Sequence, residues 1–204
     1  MHQLHRFLNA TLAVSALVLT ATSGVHAQAA KSQKAKSKAV AHAASFKVSA
    51  PDFITKGRVD ASHVFNGMGC TGQNISPALQ WSNPPAGTKS FAVTMYDPDA
   101  PTGSGWWHWV MYNIPANVTG LAAGAGNGRN APRGSAQGPT DFGTRGYGGP
   151  CPPPGDKPHH YHLTVFALKV DKLDIPGNGT AAMVGFNLHA NTLAKAQVTG
   201  LYAR

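Results

Sequence analysis

The chain has 204 residues, a formal net charge of +9, eight Asp and no Glu. That length fits one folded domain with a tail. The charge is uneven: residues 46–204 hold twelve Lys and Arg against eight Asp, a net +4, which argues against an extended nucleic-acid surface on the domain but leaves room for a small anion pocket.

Residues 1–27 read as a secretory signal. His2, His5 and Arg6 make a weakly basic start, residues 8–20 form an apolar run, and Val25-His26-Ala27 places small residues at a cleavage site. An uncleaved anchor is the alternative, but the run carries Asn9, Thr11, Ser15 and Thr20 and is short for a bilayer span. Residues 28–45 hold Lys31, Lys34, Lys36 and Lys38, no acid and almost no large apolar side chain. Such a segment cannot bury enough surface to order itself, so it reads as a basic low-complexity linker with at most weak peripheral attraction to anionic membrane. The domain is 46–204. Export, to a periplasmic or secreted location, puts Cys70 and Cys151 in an oxidising compartment, where an even count favours a disulfide over two free thiols. Closing a loop of about 80 residues would contribute roughly 4 kcal/mol in the chain-entropy model.

Strand signals dominate the domain. Short candidates lie at 46–48 and 78–81. Residues 90–96 (SFAVTMY) alternate, with Phe91, Val93 and Met95 on one face and Ala92, Thr94 and Tyr96 on the other. Residues 106–114 form a second run; strict alternation groups Trp106, His108, Val110 and Tyr112 against Trp107, Trp109 and Met111. Residues 122–150 are glycine-rich without hydrophobic period, and loops of that length are functional or mobile. Residues 160–170 form a third strand. If pairing starts near His159, His159 and Tyr161 share one face while His160 and His162 share the other. Thr180 reads as the N-cap of a helix over 181–197, with Ala182, Phe186, His189 and Leu193 at helical spacing. A last short strand is expected at 198–202. The pattern predicts a mainly β domain, an antiparallel sandwich with one or two late helices.

Asp97, His108, His159 and Tyr161 are the candidates for chemistry. Zinc needs three protein ligands in good geometry; two His and one Asp suffice in number, but no short ligand spacing supports it. A hydrolase needs an activated nucleophile, and neither Ser76 nor Ser104 sits in a G-x-S-x-G elbow. An anion pocket is the third reading: imidazole and phenol donors face a ligand, Asp97 orients a histidine, and the proline run stiffens one wall. An internal network with no ligand is the fourth. These residues alone leave all four open.

Several motifs together resemble one family. Tyr96-Asp97-Pro98-Asp99-Ala100-Pro101, Trp106-Trp107-His108-Trp109-Val110, and Gly149-Pro150-Cys151-Pro152-Pro153-Pro154-Gly155 with His159-His160-Tyr161 are similar to the phosphatidylethanolamine-binding proteins, also called Raf kinase inhibitor proteins, in their bacterial branch. Gly69-Cys70-Thr71-Gly72-Gln73-Asn74-Ile75-Ser76-Pro77, Gly87-Thr88-Lys89-Ser90-Phe91 and the ending Gly200-Leu201-Tyr202-Ala203-Arg204 extend the match, in order, across the domain. The resemblance implies a β-sandwich with a large central antiparallel sheet, a smaller sheet and one or two C-terminal helices. It implies a ligand pocket of Asp97, Pro101, His108, Pro152, Pro153, His159 and Tyr161 for phosphate-like anions, including the phosphoethanolamine head group. It also supports a Cys70–Cys151 bridge. The kinase-regulating role of eukaryotic members is not carried over to an exported protein. The resulting expectation is a non-enzymatic binding protein without cofactor or metal. His108 and His159 would act as donors, so affinity would fall as both lose their protons. A protein-interaction or inhibitor role with an unidentified protein partner, and a metal-dependent hydrolase, are the alternatives.

Overall fold

The computed structural model describes residues 44–204. The expected signal at 1–27, and all of the linker at 28–45 except its last two residues, lie outside the described residues. The strands, in chain order, are β1 (Lys47–Ser49), β2 (Ile54–Thr55), β3 (Arg58–Val59), β4 (Asn66–Gly67), β5 (Cys70–Thr71), β6 (Leu79–Ser82), β7 (Ser90–Asp97), β8 (Trp106–Pro115), β9 (Gly120–Leu121), β10 (Ala136–Gln137), β11 (His159–Leu168) and β12 (Thr192–Tyr202), with 3-10 turns at Ala61–His63 and Ala125–Asn127 and one α-helix among the described residues, α1 (Ala181–Asn191), between β11 and β12.

Two sheets make the sandwich. The large one is antiparallel in the order β10-β8-β7-β11-β12; the small one runs β1-β6-β9. The β2–β3 and β4–β5 pairs are separate hairpins. Phe91, Val93 and Met95 of β7, with Tyr161, Leu163 and Val165 of β11, pack against Trp81, Leu79 and Leu121 of the small sheet. On the opposite face, Ala92, Val110, Tyr112 and Leu168 pack against Val184 and Leu188 of α1 and Leu173 before it. The central strands are thus covered on both faces, which is why β7 is buried almost throughout. The antiparallel sandwich with a large sheet, a smaller sheet and a late helix matches the fold expected from sequence.

Strict alternation fails in β8. Met95 pairs with Trp109 and Tyr96 with Trp107, so His108 is an extra residue opposite no partner. A bulge of this kind re-aims a side chain. Val110 and Tyr112 join Trp107 on the α1 face, whereas His108 stands edge-on to Tyr161, on the same face as Trp109 and Met111. The expected grouping of His108 with Val110 and Tyr112 is therefore corrected. A second irregularity lies opposite Ala92, where Asn113 adopts φ 58°, a left-handed conformation that Asn tolerates. Its side-chain amide donates to Leu173 O at 3.2 Å and its carbonyl accepts from Leu173 N at 2.7 Å.

The helix also ends earlier than its periodicity predicts. Thr180 caps it, accepting from Met183 N at 3.1 Å, but α1 stops at Asn191. Residues 192–202 instead form β12 along the whole length of β11. The edge of β11 carries backbone donors and acceptors that need partners, and pairing them outweighs the local helix preference of Ala194, Lys195 and Ala196. With the shorter helix, Ala181, Val184 and Leu188 are buried, while Phe186 is 74 % exposed. The face expected from Ala182, Phe186, His189 and Leu193 is not the buried one. No helix among the described residues is long and apolar enough to cross a membrane.

Candidate functional site

At one end of the large sheet, β7 stops, β8 begins and β11 begins. Side chains from all three surround a cavity of about 330 Å³, within the size range of small-ligand pockets. Asp97, Pro101, His108, Pro152, Pro153, His159 and Tyr161 all line it, together with Met68, Trp106, Phe142 and Arg204. Asp97, His108, His159 and Tyr161 are buried; Met68, Pro101 and Pro153 are exposed and form the rim.

Asp97 ends β7 facing inward. One carboxylate oxygen accepts from the backbone N–H of Asp99 at 2.8 Å and of Ala100 at 3.2 Å, turning the chain into the Pro101 loop. The other accepts from His159 Nδ1 at 2.8 Å. His159 Nε2 lies 3.3 Å from the Asp156 carboxylate. Carboxylates only accept, so a ring that donates to both is an imidazolium. Burial opposes that charge, but the hydrogen bond and charge of Asp97, helped by Asp156 and Asp99, raise the His159 pKa above its ordinary value.

His108 is held differently. Its Nδ1 lies 2.8 Å from Gly148 O and 3.1 Å from Gly149 O. Both are acceptors, so Nδ1 carries the hydrogen. Burial pushes the ring's pKa down to about 4, against the pull of the two carbonyls and Asp97. His108 is thus neutral at ordinary pH, and Nε2 holds a lone pair. The expected donor role for His108 changes accordingly: its free nitrogen is an acceptor.

Tyr161 follows His159 by two residues and faces the same way. Its ring meets His108 edge-on with centroids 5.1 Å apart and stacks on His159 at 6.5 Å. Its hydroxyl is buried beside the Asp97 carboxylate, near enough to feel it but not in hydrogen-bond geometry with it, and has no other acceptor among the described residues. Burial, with Asp97 beside it, holds the phenol far above its usual pKa, so it is a permanent donor. His160 and His162 point to the other face, stacked at 6.3 Å. There His160 donates through its backbone N–H at 2.7 Å and its Nδ1 at 2.8 Å to the Asp99 carboxylate.

The proline wall is anchored twice where it begins. Cys151 is disulfide-bonded to Cys70 of β5, and Arg204 Nε donates to Pro152 O at 2.6 Å. Arg204, Phe142, Trp106 and Met68 escaped the sequence reading as site residues. Phe142 stacks on Phe65 at 4.4 Å and meets His108 and Trp106 edge-on. Its one available signal was an isolated aromatic in the glycine-rich segment. Ser76 and Ser104 are not among the lining residues; the Ser76 hydroxyl accepts from Gly126 N at 2.8 Å. Among the described residues, no group of three His, Cys, Asp or Glu side chains could hold a metal ion.

The family model described as phosphatidylethanolamine-binding protein matches residues 49–203. The Escherichia coli (strain K12) protein YbcL, named as a UPF0098 protein, is 54 % identical over 164 residues, covering 79 % of this chain and 90 % of its own. YbhB from the same organism, also named as a UPF0098 protein, is 54 % identical over 142 residues, or 69 % of this chain and 89 % of its own. The crystal structure of Escherichia coli YbcL, described as a new member of the mammalian PEBP family, superposes with a TM-score of 0.76 at 53 % identity, covering 79 % of this chain and 99 % of that one.

Proposed function

The chain belongs to the phosphatidylethanolamine-binding protein family, and on that premise we propose that it is an exported, non-enzymatic binding protein whose cavity takes small phosphate-like anions or phospholipid head groups. The observation that carries this reading is the Tyr161 hydroxyl, a buried donor of a cavity-lining residue that lies beside the Asp97 carboxylate without making a well-formed hydrogen bond to it. A buried polar group left unpaired costs free energy, and an oxyanion supplies the missing acceptor. The imidazolium of His159 and the guanidinium of Arg204 are balanced in formal charge by Asp97 and Asp156, so the cavity offers donors without a large net positive field. The cavity is therefore suited to a small anion or a zwitterionic head group more than to a large polyanion. Export is supported by residues 1–27 and by the Cys70–Cys151 bridge.

With His108 neutral, the pH dependence rests on His159. Its raised pKa keeps the charge present below the ordinary histidine value and removes it as pH rises through the folded one. Anion affinity should follow that loss. Calorimetric titration of the purified protein with inorganic phosphate and phosphoethanolamine tests the reading. Tyr161→Phe, which deletes one oxygen, should weaken binding about tenfold. Unchanged affinity in a folded Tyr161→Phe protein would reject this cavity as the binding site.

A further inference from the structure

The His108 ring is constrained on one side and open on the other. Its Nδ1–H faces the carbonyls of Gly148 and Gly149. Those carbonyls are themselves fixed, because Gly148 N donates to His108 O at 2.8 Å and Gly149 N donates to the Asn74 side-chain oxygen at 2.8 Å. The ring cannot turn to offer Nδ1–H to a ligand without giving up two acceptors. Nε2 has no protein partner among the described residues, and His108 lines the cavity. The ring is also buried, with no carboxylate in hydrogen-bond contact among the described residues, and burial keeps it neutral above about pH 4, so a ligand reaching His108 meets the Nε2 lone pair.

The groups around this ring do not change that. Asp97 comes from β7, His159 and Tyr161 from β11, and Asp141 from the glycine-rich segment. Asp97 is matched by the His159 imidazolium at 2.8 Å. Asp141 is exposed and accepts from the backbone N–H of Trp107 at 2.7 Å. Burial outweighs both carboxylates, and the ring stays neutral until about pH 4. Tyr161, with its pKa raised, supplies a donor and no negative charge.

We propose that His108 makes the cavity select oxyanions that carry their own proton, such as hydrogen phosphate or a phosphomonoester monoanion, over fully ionised ones such as sulfate. This rests on the anion-pocket reading and adds to it the protonation state of the ligand. Phosphate and sulfate are both tetrahedral and similar in size. Around pH 6, phosphomonoesters are still substantially protonated, inorganic phosphate keeps at least one proton, and sulfate has none. A P–O–H group donates to Nε2. A sulfate oxygen sets lone pair against lone pair and leaves Nε2 desolvated and unpaired.

The test is a pair of calorimetric titrations of the purified protein, with inorganic phosphate and with sulfate, at about pH 6 and matched ionic strength. Phosphate should bind at least about tenfold more tightly, the effect of one buried unmatched acceptor. Sulfate binding within about threefold of phosphate would overturn the inference while leaving the anion pocket standing. Binding of neither anion would overturn both. His108→Gln, whose amide can turn an N–H₂ group toward the ligand, should bring the two affinities together; an unchanged preference in the folded variant would remove His108 as its source. If that variant does not fold, nitrogen-resolved NMR of the wild-type ring decides. A neutral ring with its proton on Nδ1 at about pH 6 supports the selection, and an imidazolium overturns it.

Discussion

Acidifying this protein puts a proton on an unfolded His108 well before it puts one on the folded side chain. The ordinary histidine pKa is 6.5, and burial lowers that of His108 to about 4. A depressed pKa means that the contribution is whole above the unfolded value and is lost as pH falls through the interval toward the folded one. That interval, at about 1.4 kcal/mol per pH unit, amounts to about 3 kcal/mol by pH 4. Domains of this kind have about 5–15 kcal/mol in all, so the loss is large. Urea unfolding of wild type and His108→Gln, at steps from neutral pH to 4, isolates it. His159 has the opposite sign, since its raised pKa stabilises the fold at low pH, but it is present in both proteins and largely cancels in the difference. Wild type should lose about 3 kcal/mol of its margin over the variant between pH 6.5 and 4. Parallel stability curves across that range would refute a neutral, desolvated His108.

Three further outcomes follow from other parts of the fold. Reducing the Cys70–Cys151 bridge, which spans 81 residues of sequence, should cost roughly 4 kcal/mol by the chain-entropy argument. Denaturant midpoints with and without reductant measure this, and coincident midpoints would count against it. Asp97→Asn removes the carboxylate that His159 meets at 2.8 Å; it should cost about 3 kcal/mol and bring the His159 titration down in NMR, and an unmoved titration would contradict the pairing. Gly126→Ala would place a Cβ 2.8 Å from the Trp109 ring and 2.9 Å from Ser76 Cβ. Such overpacking costs about 1–3 kcal/mol, and a melting temperature equal to wild type would show that the close approach is not there.

Much of the site was legible because strand geometry is local. In β11 each side chain points opposite to its neighbour whatever the rest of the chain does. The alternation therefore separates His159 and Tyr161 from His160 and His162 before any partner is known. The same local rule orients Phe91, Val93 and Met95, and the cysteine count already limits the bridge to Cys70 and Cys151. Three features depended on distant residues. The bulge that turns His108 toward Tyr161 arises from the register of β8 on β7. The end of α1 at Asn191 arises from the open edge of β11. The neutral state of His108 arises from burial, and its tautomer from two glycine carbonyls about forty residues along the chain. Sequence by itself determined which residues could meet at the end of the sheet. Tertiary structure decided what each does there, because register and burial are set by non-local contacts, and they place the proton on Nδ1 of His108 and leave the Tyr161 hydroxyl without a well-formed hydrogen bond to the protein.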